Sequence, residues 1–90
     1  MVLQLSDNMI MLSKGTTTAT SDAGILIERG GSVDNAFMGW DHSKSRFIMG
    51  TTAADSTATG DLTIAKAQLE VDLLGDVKTS DGATVVLEVD

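Results

Sequence analysis

The sequence predicts an all-β fold of short antiparallel strands that includes a meander. Three observations support this prediction. Short apolar runs end in Gly or Asp turn residues, one segment alternates between apolar and polar positions, and helical spacing is nearly absent. The chain also contains no proline, a residue that removes a backbone N–H from strand pairing.

Residues 1–22 are predicted to form one or two N-terminal strands and a Thr-rich connection. Residues 2–5 are the first apolar run, and residues 9–12 are a continuous apolar run that fits a strand covered on both faces. A short helix buried in an interface is the alternative for residues 9–12, because Ser6 or Asp7 would cap it. The Thr residues that follow tolerate extended backbone.

Residues 23–50 are predicted to form a three-stranded meander. Its strands are residues 25–28, 35–40 and 46–49, and residues 41–45 form the hairpin loop between the last two.

Alternation along the second strand of the meander separates its side chains into two faces. Ala36, Met38 and Trp40 share one face, and Phe37 lies on the other. Trp40 is the largest side chain of a chain poor in aromatics, so we expect it to be a buried packing anchor.

Residues 51–90 are predicted to contain a second connection and two strands. Residues 62–74 carry apolar or Thr residues at odd positions from Thr63 onwards and polar residues at even positions from 66 to 72. The residue types also suit a helix, but the two-residue period fits better, so we predict a strand. Its small Ala65 and Ala67 would allow close backbone approach at the axis of a narrow oligomer. A final strand is predicted for residues 85–90.

The two small-residue connections indicate a loose internal repeat with a spacing of 35 residues. Residues 15–22 and 50–61 both begin Gly-Thr-Thr and end in Asp before an apolar run, and residues 75–82 are a weaker echo. Repeated units of this size favour a stacked array or fibre shaft, although a bias towards Thr and Ala produces the same echo.

The composition indicates a single module, residues 1–90, with a marginal core. Only three residues are aromatic, and no cysteine is available for a disulfide or thiolate metal site. A chain this short buries only about 60–65% of its unfolded surface. Oligomerisation is the remaining common means of stabilising such a core, so the predicted principal partner is the chain itself.

The net charge of −7 and the six scattered Lys and Arg residues argue against a nucleic-acid partner or an anionic membrane surface, either of which would require a basic patch. No apolar run approaches the ~20 residues of a membrane span. The N-terminus has no basic segment followed by an apolar one, so no signal peptide is predicted. We therefore expect a soluble protein.

The sequence contains no pattern typical of an enzyme, a cofactor site or a metal site. Asp41, His42 and Ser43 are the residue types of a catalytic triad, but adjacent positions do not give triad geometry. Residues 30–35 resemble a calcium-binding Gly-Gly-x-Gly-x-Asp repeat but lack its third Gly. No EF-hand or phosphate-binding loop is present. No catalytic, cofactor-binding or metal-ligating residue is therefore assigned.

The candidate functional residues are those of a packing or oligomer core. They are the inward-facing residues of the predicted strands: Ile25, Ile27, Met38, Trp40, Phe47, Ala65, Ala67, Leu69, Val71, Leu73, Val85, Leu87 and Val89.

The order of several short motifs is distinctive. Gly-Ile-Leu-Ile-Glu-Arg-Gly occupies residues 24–30, Asp-Asn-Ala 34–36, Trp-Asp 40–41 and Gly-Thr-Thr 50–52, with a Phe-containing strand before the last. This order resembles the repeated β modules of virion structural proteins, tail fibres especially, in tailed phages of the marine cyanophage type.

The resemblance implies a trimeric or otherwise intertwined β module in a virion appendage, with other virion proteins as further partners. It supplies no catalytic residues and no cofactor. The expected function is therefore structural, in a tail fibre, an appendage or the particle surface. The alternatives are a receptor- or glycan-binding tip module and a capsid decoration protein.

Overall fold

A computed structural model describes residues 1–85, which contain an open four-stranded antiparallel sheet and no helix. The sheet order follows the chain order. Its strands are β1 (Ala23–Ile27), β2 (Asn35–Asp41), β3 (Arg46–Thr52) and β4 (Ala65–Lys66). The predicted all-β class and the three-stranded meander are therefore confirmed.

The β2–β3 hairpin is closed by the four residues 42–45. The Ser45 N–H donates to the His42 carbonyl at 3.3 Å, and Ser45 has the left-handed φ of 51° that ends the turn. One carboxylate oxygen of Asp41 accepts from the Ser43 hydroxyl at 2.8 Å and the Lys44 N–H at 3.3 Å. These bonds fix the hairpin and hence the register between its strands.

Phe37 is the only buried hydrophobic residue within residues 1–85, at 4% exposure. It lies on the face of β2 that also carries Gly39, which is paired with Gly24 of β1. A Cβ atom built on either glycine would come within 2.8 Å of the Phe37 ring. The ring therefore packs directly against glycine backbone, which side chains at these two positions would prevent.

The N-terminal strands predicted within residues 1–22 are wrong. No strand precedes Ala23, and every apolar residue of the first 12 is exposed. The apolar runs are present in the sequence, but no edge of the sheet is paired with them. A strand requires a hydrogen-bonding partner as well as a suitable pattern.

The strand predicted over residues 62–74 is confirmed only at Ala65–Lys66, and the rest of that prediction is wrong. These residues pair with Gly50 and Thr51 of β3. The Ala67 N–H adds a bond of 3.1 Å to the Met49 carbonyl, after which the chain leaves β3. Alternation specifies which residues share a face, but it does not specify how far a partner edge follows the segment.

The predicted 35-residue repeat has no counterpart in the fold. Residues 24–27 belong to β1, whereas the echoing residues 62–64 belong to no strand. Residues 50–52 are strand, whereas residues 15–17 are not. The echoing segments therefore do not form equivalent structural units.

The last predicted strand is only partly described. Lys78 and Thr84 form an isolated antiparallel bridge, and the Val85 N–H donates to the Val77 carbonyl at 2.6 Å. Residues 86–90 lie outside the described range.

The chain is expanded for its size. Its radius of gyration is 16.2 Å, against about 12 Å for a compact domain of this length. Its accessible surface is 8247 Å², against about 5,000 Å² for a folded monomer of 9.4 kDa. A single copy therefore leaves uncovered much of the surface that folding usually buries.

Candidate functional site

The sheet face opposite Phe37 is apolar and uncovered. Its six large side chains are each between 41% and 82% exposed, and we call this set the open face. The open face consists of Ile25, Ile27, Met38, Trp40, Phe47 and Met49.

Strand register arranges the open face in cross-strand rows. Ile25, Met38 and Met49 form the central row across β1, β2 and β3. Directly opposite side chains of this kind contact one another across a pleated sheet, so each row is a continuous apolar strip.

An aromatic pair lies at one end of the open face. Trp40 and Phe47 are cross-strand partners whose ring centroids are 5.0 Å apart at an interplanar angle of 85°. This edge-to-face geometry contributes about 0.5–1.5 kcal/mol beyond area burial. It holds the two largest side chains of the face in place while leaving Trp40 41% and Phe47 82% exposed.

The predicted core residues of the meander thus share one face, but they do not form a core within a single chain. The expected burial of Trp40 is not met, and Phe37 has the buried position instead. Met49 was also missed, although its two-residue spacing from Phe47 places it on the open face. The paired glycines 24 and 39 are the sequence signal that marks the Phe37 side, because they leave room for an aromatic ring.

The predicted core residues of the second half are exposed as well. Ala65, on β4, is paired with Thr51 at the margin of the open face. Val85 is half-buried, and the other described members are exposed. These are Ala67, Leu69, Val71 and Leu73. Leu87 and Val89 lie outside the described residues. A role for any of these residues in an oligomer core stays a prediction.

Asp22 fixes the loops around the sheet, a role that the sequence analysis did not assign. One carboxylate oxygen accepts from the His42 N–H at 2.6 Å, and the other accepts from the Leu62 N–H at 2.8 Å. The Asp22 N–H donates to the Gly60 carbonyl at 3.0 Å. One half-buried residue before β1 therefore joins the hairpin turn to the connection that leads into β4.

Asp41 is the other acidic residue with a structural role at this end of the sheet. The residue is only 5% exposed, and the hydrogen bond from the Ser43 hydroxyl is the largest cause that holds the pKa of Asp41 below its usual value. The Ser43 hydroxyl donates to this carboxylate, so Asp41 at the end of β2 holds the first residues of the hairpin turn.

Two depressions that include acidic residues in their lining flank the sheet. The larger, about 430 Å³, has Asp34 and Asp61 among its lining residues. The smaller, about 200 Å³, has Glu28 and Asp55. Within residues 1–85 no group of three acidic or histidine side chains is arranged to hold a metal ion.

This part of the chain also contains no helix able to cross a bilayer. No protein-family model matches the sequence, and no curated protein or solved structure is significantly similar to it.

Proposed function

We propose that this chain is a virion structural protein, a component of a tail fibre, another appendage or the particle surface. It acts by self-assembly into a homo-oligomer, with a trimer favoured, and not by catalysis. The observation that carries the proposal is the open face, an apolar sheet surface that a single chain leaves uncovered.

A β-sheet with an apolar face requires a second layer to cover it. Contiguous exposed apolar patches are small on soluble monomers, and larger ones mark sites of association. The open face spans three strands, and no described element packs over its six large side chains. A second copy supplies the same apolar face, which makes self-association chemically complementary.

The exposed area is sufficient for such an assembly. The chain exposes about 3,200 Å² more than a folded monomer of its mass. A standard interface removes about 800 Å² from each partner, and each chain of a closed trimer has two interfaces. The excess accessible surface is therefore larger than the area that each chain would bury in the two interfaces of a trimer.

The virion setting is supported by the order of motifs between residues 24 and 52, which resembles tail-fibre modules. The meander of the fold spans the same residues. In such modules, stability comes from contacts between chains, which agrees with a chain that has one buried hydrophobic residue among those described.

The first test is the oligomeric mass in solution, measured by light scattering on a sizing column over a dilution series. We expect a stable multiple of the 9.4 kDa chain mass, three-fold for the favoured trimer. Met38→Lys places a charge in the central row and is expected to shift the mass to that of a single chain. Val33→Lys is the matched control, because Val33 is similarly exposed but lies in the β1–β2 loop. A wild-type monomer that persists at high concentration would refute the proposal.

The exposure of Trp40 favours a second candidate, a receptor- or glycan-binding tip module. An exposed indole is a common platform for a sugar ring, but the cross-strand neighbours of Trp40 are apolar Ala23 and Phe47. Glycan-array binding that is lost in Trp40→Ala and retained in Phe47→Ala would select this candidate. Resistance of the oligomer to SDS without boiling would instead favour an intertwined structural module.

A further inference from the structure

The outer edge of β3 is only partly occupied by the chain's own β4. Pairing covers Gly50 and Thr51, and the Ala67 N–H donates one further bond of 3.1 Å to the Met49 carbonyl. Within the described range no strand lies beside residues 46–48 on this side. A cleft of about 310 Å³ lies there between β3 and the segment that follows β4.

Residues 67–70 continue the chain from β4 along the other side of this cleft, and we call them the strap. Leu69 of the strap lines the cleft together with Phe47 of β3. Both side chains are largely exposed, Leu69 at 64% and Phe47 at 82%. Closure of the strap onto β3 would therefore remove two large apolar side chains from water at once.

The register of β4 fixes the position of Leu69 in a closed strap. Gly50 is opposite Lys66, and each step back along β3 is a step forward along its antiparallel partner. Continued in this way, the register sets Leu69 opposite Phe47. Directly opposite residues share a face of the sheet, so Leu69 would cover Phe47, the most exposed member of the open face.

The backbone of β3 presents the groups that a closed strap requires. The Met49 carbonyl accepts from Ala67, so the N–H and C=O groups of Met49 point towards the strap. These groups alternate in direction along a strand, and those of Phe47 therefore point to the same side. Phe47 and Leu69 would form a hydrogen-bonded pair, whereas the N–H of Gln68 would point away from β3.

The charges at the end of the strap are complementary to those of β3. The same register sets Glu70 opposite Arg46. Neither residue forms an ion pair with another described residue, and Lys44 places a second cation in the lining of the cleft. Opposite charges that face each other across two strands stabilise the pairing. Residue 45, next to Arg46, belongs to the hairpin turn, so the pairing ends at Glu70.

We propose that the strap closes on the outer edge of β3 in its own chain and seals that edge against pairing with another chain. Closure extends β4 to Glu70. With the strap open, the unpaired backbone groups of Phe47 remain available to a strand from another molecule. The device lies within one chain, so it does not depend on the proposed self-assembly.

Amide hydrogen exchange of the wild-type chain, followed residue by residue by NMR, tests closure. We expect the N–H groups of Phe47 and Leu69 to exchange roughly ten-fold or more slowly than that of Gln68. The slowing should be the same across a dilution series, because closure occurs within one chain. Rapid exchange at Phe47 and Leu69 overturns the proposal. Slowing that disappears on dilution also overturns it, because the pairing would then be with another copy.

A proline in the strap provides a matched pair of variants. Leu69→Pro removes the N–H that closure directs to the Phe47 carbonyl. Leu73→Pro is the control, because Leu73 is 65% exposed and in no strand but lies beyond the strap. The Phe47 N–H should exchange faster in Leu69→Pro and at the wild-type rate in Leu73→Pro. Equal rates in the two variants contradict closure.

Light scattering on the same two variants tests the sealing of the edge. Leu69→Pro should form species of higher mass than Leu73→Pro, because the edge of β3 then stays open to other chains. Equal masses overturn the sealing role.

A charge reversal tests the register of the closed strap. Glu70→Lys sets a cation opposite Arg46, and Asp72→Lys makes the same change of charge beyond the strap. We expect faster exchange of the Leu69 N–H in Glu70→Lys only. An equal effect of both variants would show that net charge, and not the facing of residues 46 and 70, is responsible, and it would overturn the register.

Discussion

Replacement of Asp22 tests whether one carboxylate holds the hairpin turn and the connection into β4 together. Asp22→Ala removes the acceptor of two backbone N–H groups, those of His42 and Leu62. The backbone bond from residue 22 to the Gly60 carbonyl remains in the variant, since it does not involve the side chain.

The expected magnitude follows from these two bonds. Hydrogen bonds to charged groups contribute about 1.5–3 kcal/mol each when buried. Asp22 is half-buried, so water replaces part of each bond, and we expect a loss of about 2 kcal/mol in the free energy of unfolding. Asp22→Asn keeps one carbonyl oxygen as an acceptor and is expected to lose about half as much.

Urea denaturation at fixed protein concentration measures this loss, and concentration must be fixed because assembly contributes to stability. Amide hydrogen exchange provides the site-specific measurement, because the N–H groups of His42 and Leu62 should exchange faster in Asp22→Ala. Asp61→Ala is the matched control, since Asp61 is exposed in the same connection. The reasoning is refuted if Asp22→Ala is no less stable than Asp61→Ala and the two amides exchange at wild-type rates.

Three further predictions concern the buried face, the hairpin turn and the open face. Gly39→Ala would place a Cβ atom 2.6 Å from the Cα of the opposing Gly24. Thermal or urea unfolding should therefore show a loss of about 1–3 kcal/mol in the free energy of unfolding. Gly31→Ala is the control and should be near neutral, because the space around Gly31 is open. The lowered pKa of Asp41 stabilises the fold at pH values above the usual aspartate pKa of about 3.9. This contribution to the free energy of unfolding should be lost as the pH falls through the folded-state pKa. An NMR titration of Asp41 that gives a pKa at or above the usual value would contradict the prediction. Peroxide should dissociate the oligomer by converting Met38 and Met49 of the open face to polar sulfoxides. The double variant Met38→Leu, Met49→Leu should resist this dissociation. If light scattering shows that the wild-type protein and the double variant dissociate equally, these two methionines are excluded as the cause.

The sequence by itself determined the meander of residues 23–50 and the division of its side chains between two faces. Alternation predicts which side chains share a face because consecutive side chains of a strand point to opposite faces, whatever the strand packs against. It also determined that one chain has too few large side chains to complete a core. These are local or compositional properties, which do not depend on which segments meet.

Only the tertiary structure decided which face is covered and how far each strand extends. Phe37 is the buried side chain because pairing of β1 with β2 brings Gly24 opposite Gly39, and neither has a Cβ to displace the ring. Residues 65–73 alternate as regularly as any strand, yet only Ala65–Lys66 are paired, because a strand exists only where a partner edge satisfies its backbone. The role of Asp22 depends in the same way on groups far apart in the chain, the N–H groups of His42 and Leu62, and no local sequence pattern predicts that they meet.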